Sequence, residues 1–483
     1  MTPSATAILT LLALLGLLVV IAVHGARRTH NVTEFAIANR RLGAWSAGLG
    51  YAGAAVNAWT LMIVAAAAFT WGLAAVWIWV AIVCGCIVNL WYVAPRMRAL
   101  AVGHGHVSPV QLLTSDSGDR LQPLVARSAV FIVAVAVLLQ LISMLQFVGG
   151  GIAAQLGADA PTSSLIVAGL VTAAVFAGGL RSASACDASQ AVIVLVVACL
   201  LCVPALIAAG GWSQVQNGLA ALGPASGDWL GGKRGVVAVA FVAGVLGIGF
   251  ALLGQPQAHH RLMAVREDSL PKARWITISW IALLLAAVIV CGWCAGVLYA
   301  GLDRPQDALF AIATRLLPPW LAVVFVVLLL GAIALSAAGL LFVFALGCAV
   351  DLRRTGTPPS PGWARLALVL AALLAWVLSV YSPVARLDQA LLGFSALGAA
   401  LGPLLLVRLT GKRIRPGSTL GAMWASFVLS LLFHLLPDAP GDFMEHVLPF
   451  VASLGIALTG GERRRNPDRA DRSQETMHDR VPI

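Results

Sequence analysis

Three glycines in one apolar stretch, Gly48, Gly50 and Gly53, and a second group, Gly244, Gly247, Gly249 and Gly254 with Pro256, bear most directly on chemistry in this chain. A membrane helix interrupted by Gly or Pro exposes main-chain carbonyls and amides, which can replace the water around an ion or a polar solute. The other role open to such glycines is close helix packing. Gly48, Gly50 and Gly53 also spell the dinucleotide-binding glycine pattern, but no strand precedes them and no βαβ unit surrounds them. Among side chains, Asp187 stands in an apolar run, as a coupling residue, a gate or a helix cap. Asn57, Gln140 and Gln146 are amides in apolar surroundings, either solute contacts or helix-to-helix hydrogen bonds. His259 and His260 follow Pro256 beside Arg261 and read as a solvated cytoplasmic loop. The pairs Cys199 with Cys202 and Cys291 with Cys294 have zinc-like spacing, yet no polar loop supplies further ligands, so they read as apolar packing. No catalytic constellation and no phosphate-cradling lysine loop is present, which argues against an enzyme and against an ATP-driven pump.

The elements that position these residues are membrane spans. Hydrophobic residues make up 60% of the 483 and charged ones 11%, far from the balance of a water-soluble domain. Apolar runs of about 20 residues suffice to cross as helices, and about thirteen such runs follow one another from Ile8 to the region of Val451. Lys and Arg fall almost wholly in alternate gaps. One set holds Arg27, Arg28, Arg40 and Arg41, then Arg96, Arg98, Arg120 and Arg127, then Arg181, and then Arg261, Arg266, Lys272 and Arg274. It continues through Arg353, Arg354, Arg365, Arg408, Lys412, Arg413 and Arg415 to the arginines after Glu462; the other side has Lys233, Arg234, Arg304, Arg315 and Arg386. The positive-inside rule then sets the N-terminus outside and the C-terminus in the cytoplasm. Topology accounts for the net charge of +11, which leaves no argument for nucleic-acid binding. The first run reads as an anchor, with Arg27 and Arg28 directly after it.

Charge and glycine placement divide the chain into an anchor and cytoplasmic loop (1–45), a five-span set (46–209), an external loop (210–235) and a second five-span set (236–408). Two further spans (409–460) and a polar, disordered cytoplasmic tail (461–483) follow. Because five is odd, the two sets have opposite orientation, and a broken helix opens each.

The segment Gly254-Gln255-Pro256 with Arg261-Leu262-Met263-Ala264 resembles the sixth core helix and following loop of the solute:sodium symporters, particularly the bacterial sodium/proline symporters. Four further segments agree: Arg41-Leu42-Gly43 with Ser46-Ala47-Gly48 and Trp59; Gly178-Gly179 with Asp187 and Gln190; Pro319-Trp320 through Asp351-Leu352; and Gly398-Ala399-Ala400 with Gly402-Pro403. The resemblance covers about residues 34 to 460. It implies an all-α membrane protein of the LeuT type, two inverted five-helix repeats plus peripheral helices, that binds Na+ and a small solute together at the midplane. It places sodium at Gly53, Val56, Ala332, Leu335 and Ser336, a degenerate site because Leu335 stands where a hydroxyl is expected. Ala55 stands where the proline transporters have an aspartate. The same resemblance places the solute against Trp59, Asn57, Gln140, Gln146, Ile248, Leu252 and Pro256, with Ile248 and Leu252 replacing an aromatic pair. Asp187 falls at the cytoplasmic end of a helix, as a gate.

The expectation is therefore a multi-pass protein of the cytoplasmic membrane that moves an amino acid such as proline, or a small carboxylate, by sodium-coupled symport. Its partners are the solute and the bilayer, with no nucleic acid. The alternative is a solute-binding sensor or scaffold, which would need a separate signalling partner, or an uncoupled facilitator.

Overall fold

A computed structural model describes residues 3–114, 120–352, 361–382, 387–436 and 442–463. Arg353, Arg354, Arg386 and the tail beyond Arg463 lie outside the described residues. The helices include α1 (Pro3–Ala26), α2 (Ala44–Ala55), α3 (Ala58–Trp71), α4 (Val76–Ile87), α5 (Gln122–Leu156), α6 (Ala160–Gly178) and α7 (Leu180–Ala208). They continue as α8 (Gly235–Ala251), α9 (Pro256–Ala264), α10 (Leu270–Leu298), α11 (Pro319–Leu346), α12 (Pro361–Tyr381), α13 (Leu387–Leu409) and α14 (Pro416–His434). Two short helices, α15 (Phe443–His446) and α16 (Leu448–Thr459), follow. Eleven helical runs among the described residues are long and apolar enough to cross a membrane, and Phe443–Thr459 is a shorter apolar one. The longest, Ala58–Gly103, counts as one run but is divided at Gly72, whose φ of +60° suits glycine. The chain is a multi-pass membrane protein. Among the described residues there is one sheet, a two-stranded ribbon of Lys412–Ile414 against Gly461–Arg463.

Two helices are broken, each for a local reason. The first stops at Val56 (φ −123°, ψ 78°), and α3 restarts from Asn57, whose Oδ1 accepts from the Thr60 amide at 3.0 Å. Asparagine is a strong N-cap because its side chain competes for the first amides of a helix. The second tightens through Leu252–Gly254, turns extended at Gln255 (φ −88°, ψ 100°) and restarts with Pro256 as the first residue of α9. Proline forces its predecessor out of the helical region and suits the first turn, where no amide is required. The break is crossed closely by α13, where a Cβ on Gly254 would fall 2.7 Å from the Gly398 carbonyl.

Pro256 therefore opens a helix and does not end one, which corrects the expectation of a solvated loop. His259, His260 and Arg261 lie on α9 and are at most 2% exposed. Asp187 is the eighth residue of α7, fully buried, and its Oδ2 accepts from Arg261 Nη2.

The ends of α2 and α9 meet at the basic side, where the Leu42 amide donates to the Ala264 carbonyl (3.1 Å) and the Arg266 amide to the Leu42 carbonyl (3.0 Å). Side chains tie neighbouring loops to that contact. Arg40 Nη2 donates to the carbonyls of Ala101 (2.8 Å) and His106 (2.6 Å), and Arg98 Nε to that of Val265 (3.0 Å). Ser108 Oγ donates to Asp351 Oδ2 at 2.9 Å.

In this loop region, burial, then the proximity of His104, Arg408 and Arg40, pushes the His106 pKa down from 6.5 to about 4. The folded ring is neutral at pH values where the unfolded chain binds a proton, so stability present above about pH 6.5 is lost as pH falls toward 4. The melting temperature of the detergent-solubilised protein is expected to fall more steeply across that window than that of His106→Gln. Parallel pH profiles for the two would remove this histidine as a source.

Candidate functional site

Broken helices in a membrane leave main-chain groups that only protein can satisfy. At the first break this is done by Gln190, from α7: its Oε1 accepts from the Ala58 amide at 3.1 Å, and its Nε2 donates to the Gly53 carbonyl at 2.6 Å. One amide side chain thus holds both halves of the helix. At the second break Asn89 does the same work from the π-helical turn Val88–Val93. Its Nδ2 donates to the Leu252 carbonyl (3.0 Å) while its Oδ1 lies 3.1 Å from His259 Nε2 on the far half. Gln255 adds donations from Nε2 to the carbonyls of Ala251 and Phe394, both 2.9 Å, which tie the break to α13.

Between the breaks lies a cavity of about 120 Å³. Asn57, Trp59, Gln140, Ile248 and Leu252, five of the seven residues expected to contact the solute, line it together with Ala55. Trp59 is 4% exposed, sits edge-on to Phe147 with ring centres 5.1 Å apart, and its indole N–H has no hydrogen-bond partner among the described residues. An indole N–H is a donor only, so an acceptor oxygen in the cavity would satisfy it. Gln140 Nε2 donates within its own helix to the Ala136 carbonyl at 3.2 Å, and Asn57 caps α3. Neither amide bridges two helices in these bonds.

The other two expected contacts lie elsewhere. Gln146 Nε2 donates to the carbonyls of Ser379 (2.7 Å) and Ser382 (3.3 Å), in a recess shared with Arg304 and Asp307. Six residues along a helix turn a side chain by about 240°, so Gln140 and Gln146 cannot share one wall of α5. Pro256 is buried one residue past the break and is not among the cavity's lining. Sequence reasoning missed Phe394, Asp442 and His446, which are among the other lining residues.

The residues expected to hold sodium offer the carbonyls of Gly53, Val56 and Ala332 and the hydroxyl of Ser336. Leu335 is buried and gives no side-chain oxygen. The Gly53 carbonyl already accepts from Gln190, and Ser336 Oγ donates to the Ile333 carbonyl at 2.7 Å, leaving oxygen lone pairs on both. This donor set is all oxygen and uncharged, which suits a weakly held monovalent ion. No group of three His, Cys, Asp or Glu side chains able to hold a metal occurs among the described residues.

Beside the first break, the Asp187–Arg261 pair fills space left by two glycines. A Cβ on Gly339 of α11 would fall 3.1 Å from both Arg261 Nη2 and Asp187 Oδ2, and one on Gly50 would fall 3.5 Å from Arg261 Cγ. Arg261 Nη1 also donates to the Gln257 carbonyl. Four elements, α2, α7, α9 and α11, are thus packed around one ion pair.

The sodium:solute symporter family model matches residues 35–428. Sodium/proline symporters of Staphylococcus aureus strains Newman and JH9 are each 23% identical over 470 residues, covering 90% of this chain and 90% of theirs. A solved Na+-coupled sialic acid symporter, in a substrate-bound outward-open state, superposes with a TM-score of 0.77 at 15% identity, covering 95% of this chain and 99% of that one. MHP1, a nucleobase-cation-symport-1 family transporter in a closed conformation with bromovinylhydantoin bound, gives 0.54 at 14% identity, covering 88% and 93%. These two likenesses show the fold.

Removal of the Gln190 amide tests the clamp. Gln190→Leu strands a buried carbonyl and a buried amide, a loss of roughly 1–3 kcal/mol for each group left unsatisfied. Thermal unfolding in detergent is expected to show a clear drop in melting temperature for this variant, larger than for Gln146→Leu. Equal melting temperatures for wild type and Gln190→Leu would contradict the clamp.

Proposed function

The chain belongs to the sodium:solute symporter family and is a secondary transporter coupled to sodium, and on that premise we propose how its own residues carry solute and ion. The solute binds in the cavity between the two breaks, against Trp59, Asn57, Gln140, Ile248 and Leu252. The unsatisfied indole N–H of Trp59, buried in that wall, is the observation that carries this reading. The solute is a small organic molecule with an acceptor oxygen, an amino acid such as proline or a small carboxylate. Two of the relatives are named for proline, and Ile248 and Leu252 leave the pocket apolar opposite the indole.

Sodium travels as cargo beside the first break, on the carbonyls of Gly53, Val56 and Ala332 and the Ser336 hydroxyl. Without a carboxylate or a second hydroxyl there, it is held weakly. Binding of ion and solute favours one arrangement of the two breaks over the other, and that differential affinity is what an alternating-access carrier requires. Arg40, Arg98, Ser108 with Asp351 and the Leu42 contact form the closure on the basic side, with the Asp187–Arg261 pair as its inner part. We place that side in the cytoplasm of an inner membrane by the positive-inside rule. In this reading the chain makes thirteen crossings, with inverted repeats at 46–209 and 236–408, an N-terminal segment 1–45, a loop at 210–235 and a C-terminal pair of helices at 409–460. Transport without chemistry leaves no role for an enzymatic step.

The deciding experiment is uptake of labelled proline and a panel of amino acids and small carboxylates into proteoliposomes under sodium, potassium or proton gradients. Sodium-driven accumulation is expected, and Trp59→Ala is expected to raise the half-saturating solute concentration by about tenfold or more. Restoring oxygens with Ala55→Asp and Leu335→Ser together is expected to lower the sodium concentration needed. Binding of a solute with no accumulation under any gradient would favour a sensor. Equilibration without accumulation would favour a facilitator.

A further inference from the structure

The short helix α15 sits directly on α8 at Gly247, where a Cβ would fall 2.8 Å from that of His446. Only a residue without a side chain admits this approach. The seat brings Asp442 and His446 into the wall of the central cavity, next to Ile248 and Leu252. Asp442 begins α15 in the left-handed region (φ +49°), which aspartate tolerates better than most residues, and its side chain makes no capping bond to that helix.

Of the residues around the cavity, Asp442 brings the carboxylate. Asn57, Thr60 and Gln140 are neutral, His446 is a second titratable side chain in the lining, and position 55 is a methyl group. Asp442 has interactions of its own, but a carboxylate has about four acceptor sites, so a solute donor can still be received. In a mostly apolar cavity an anion attracts a cation more strongly than it would in water.

We propose that Asp442, with His446 beside it, makes the central cavity selective for solutes that carry a cationic nitrogen. The proposal rests on the cavity being the solute site and narrows its occupants: zwitterions such as amino acids or betaines are accepted, and simple carboxylates are poor ligands. The carboxylate touches the solute nitrogen directly, and the His446 ring is a second polar contact on the same wall.

Matched pairs of probes test it. L-Proline is compared with cyclopentanecarboxylate, and glycine betaine with 3,3-dimethylbutanoate, each pair differing by the charged nitrogen. Thermal stabilisation of the purified full-length protein gives binding, and proteoliposome uptake gives transport. Wild type is expected to half-saturate with the nitrogen-bearing member at a concentration at least about tenfold lower, as a charge-assisted contact requires. Asp442→Asn is expected to erase that preference and Asp442→Glu to keep most of it. Gly247→Ala, which pushes α15 off its seat, is expected to weaken the nitrogen-bearing member selectively, so the proposal stays testable if the Asn variant does not fold. Equal binding within each pair, a preference surviving in Asp442→Asn, or stabilisation by no probe overturns it. Preference without sodium-driven uptake would sink the transport reading and leave this one standing. Uptake without preference would do the reverse.

Discussion

The structure depends on how main chain is satisfied where two helices stop in the middle of a protein surrounded by lipid. No sheet ladder is available there, and every stranded amide or carbonyl costs about 1–3 kcal/mol. The solution is economical in residues. Gln190 supplies both an acceptor and a donor to the first break, and Asn89 supplies both to the second. Because each amide grips the two halves at once, the breaks can remain open toward a cavity without fraying. The cavity is therefore a by-product of helices that are interrupted but held.

The second element of order is the Asp187–Arg261 pair. Fully buried charges are expensive to desolvate, and a pair survives only with close geometry and additional hydrogen bonds. Arg261 has both, through Asp187 and the Gln257 carbonyl, and the glycines at 50 and 339 let backbone close in around it. The aspartate thus meets its counter-charge inside the bundle. The oxygens of Gly53, Val56, Ala332 and Ser336, the candidates for sodium, are uncharged.

Much of this was legible in the amino-acid sequence, for identifiable reasons. Hydrophobic runs and alternate basic gaps pointed to the spans, and Pro256 marked the second break through local backbone conformation; the glycines near the first break stay helical in α2, and that break falls just past them at Val56 and Asn57. The residues after Pro256 were read as a solvated loop, whereas proline in a first turn starts a helix that buries His259, His260 and Arg261. Gln146 was misplaced because apolar composition hides helical phase, and only a 240° rotation separates it from Gln140. The roles of Gln190 and Asn89 had no local signal, since their partners lie 132 and 163 residues away in the chain. Asp442 and His446 were invisible for the same reason, reaching the cavity only because α15 docks on Gly247.

The ion pair also has a history during synthesis. Asp187 leaves the ribosome 74 residues before Arg261, so α7 reaches the bilayer with its acid and no counter-charge. Until α9 arrives, that acid must be neutral or held near the headgroups, since an isolated anion in hydrocarbon is strongly disfavoured. The early helices of this protein are thus an unfinished product that the membrane tolerates poorly.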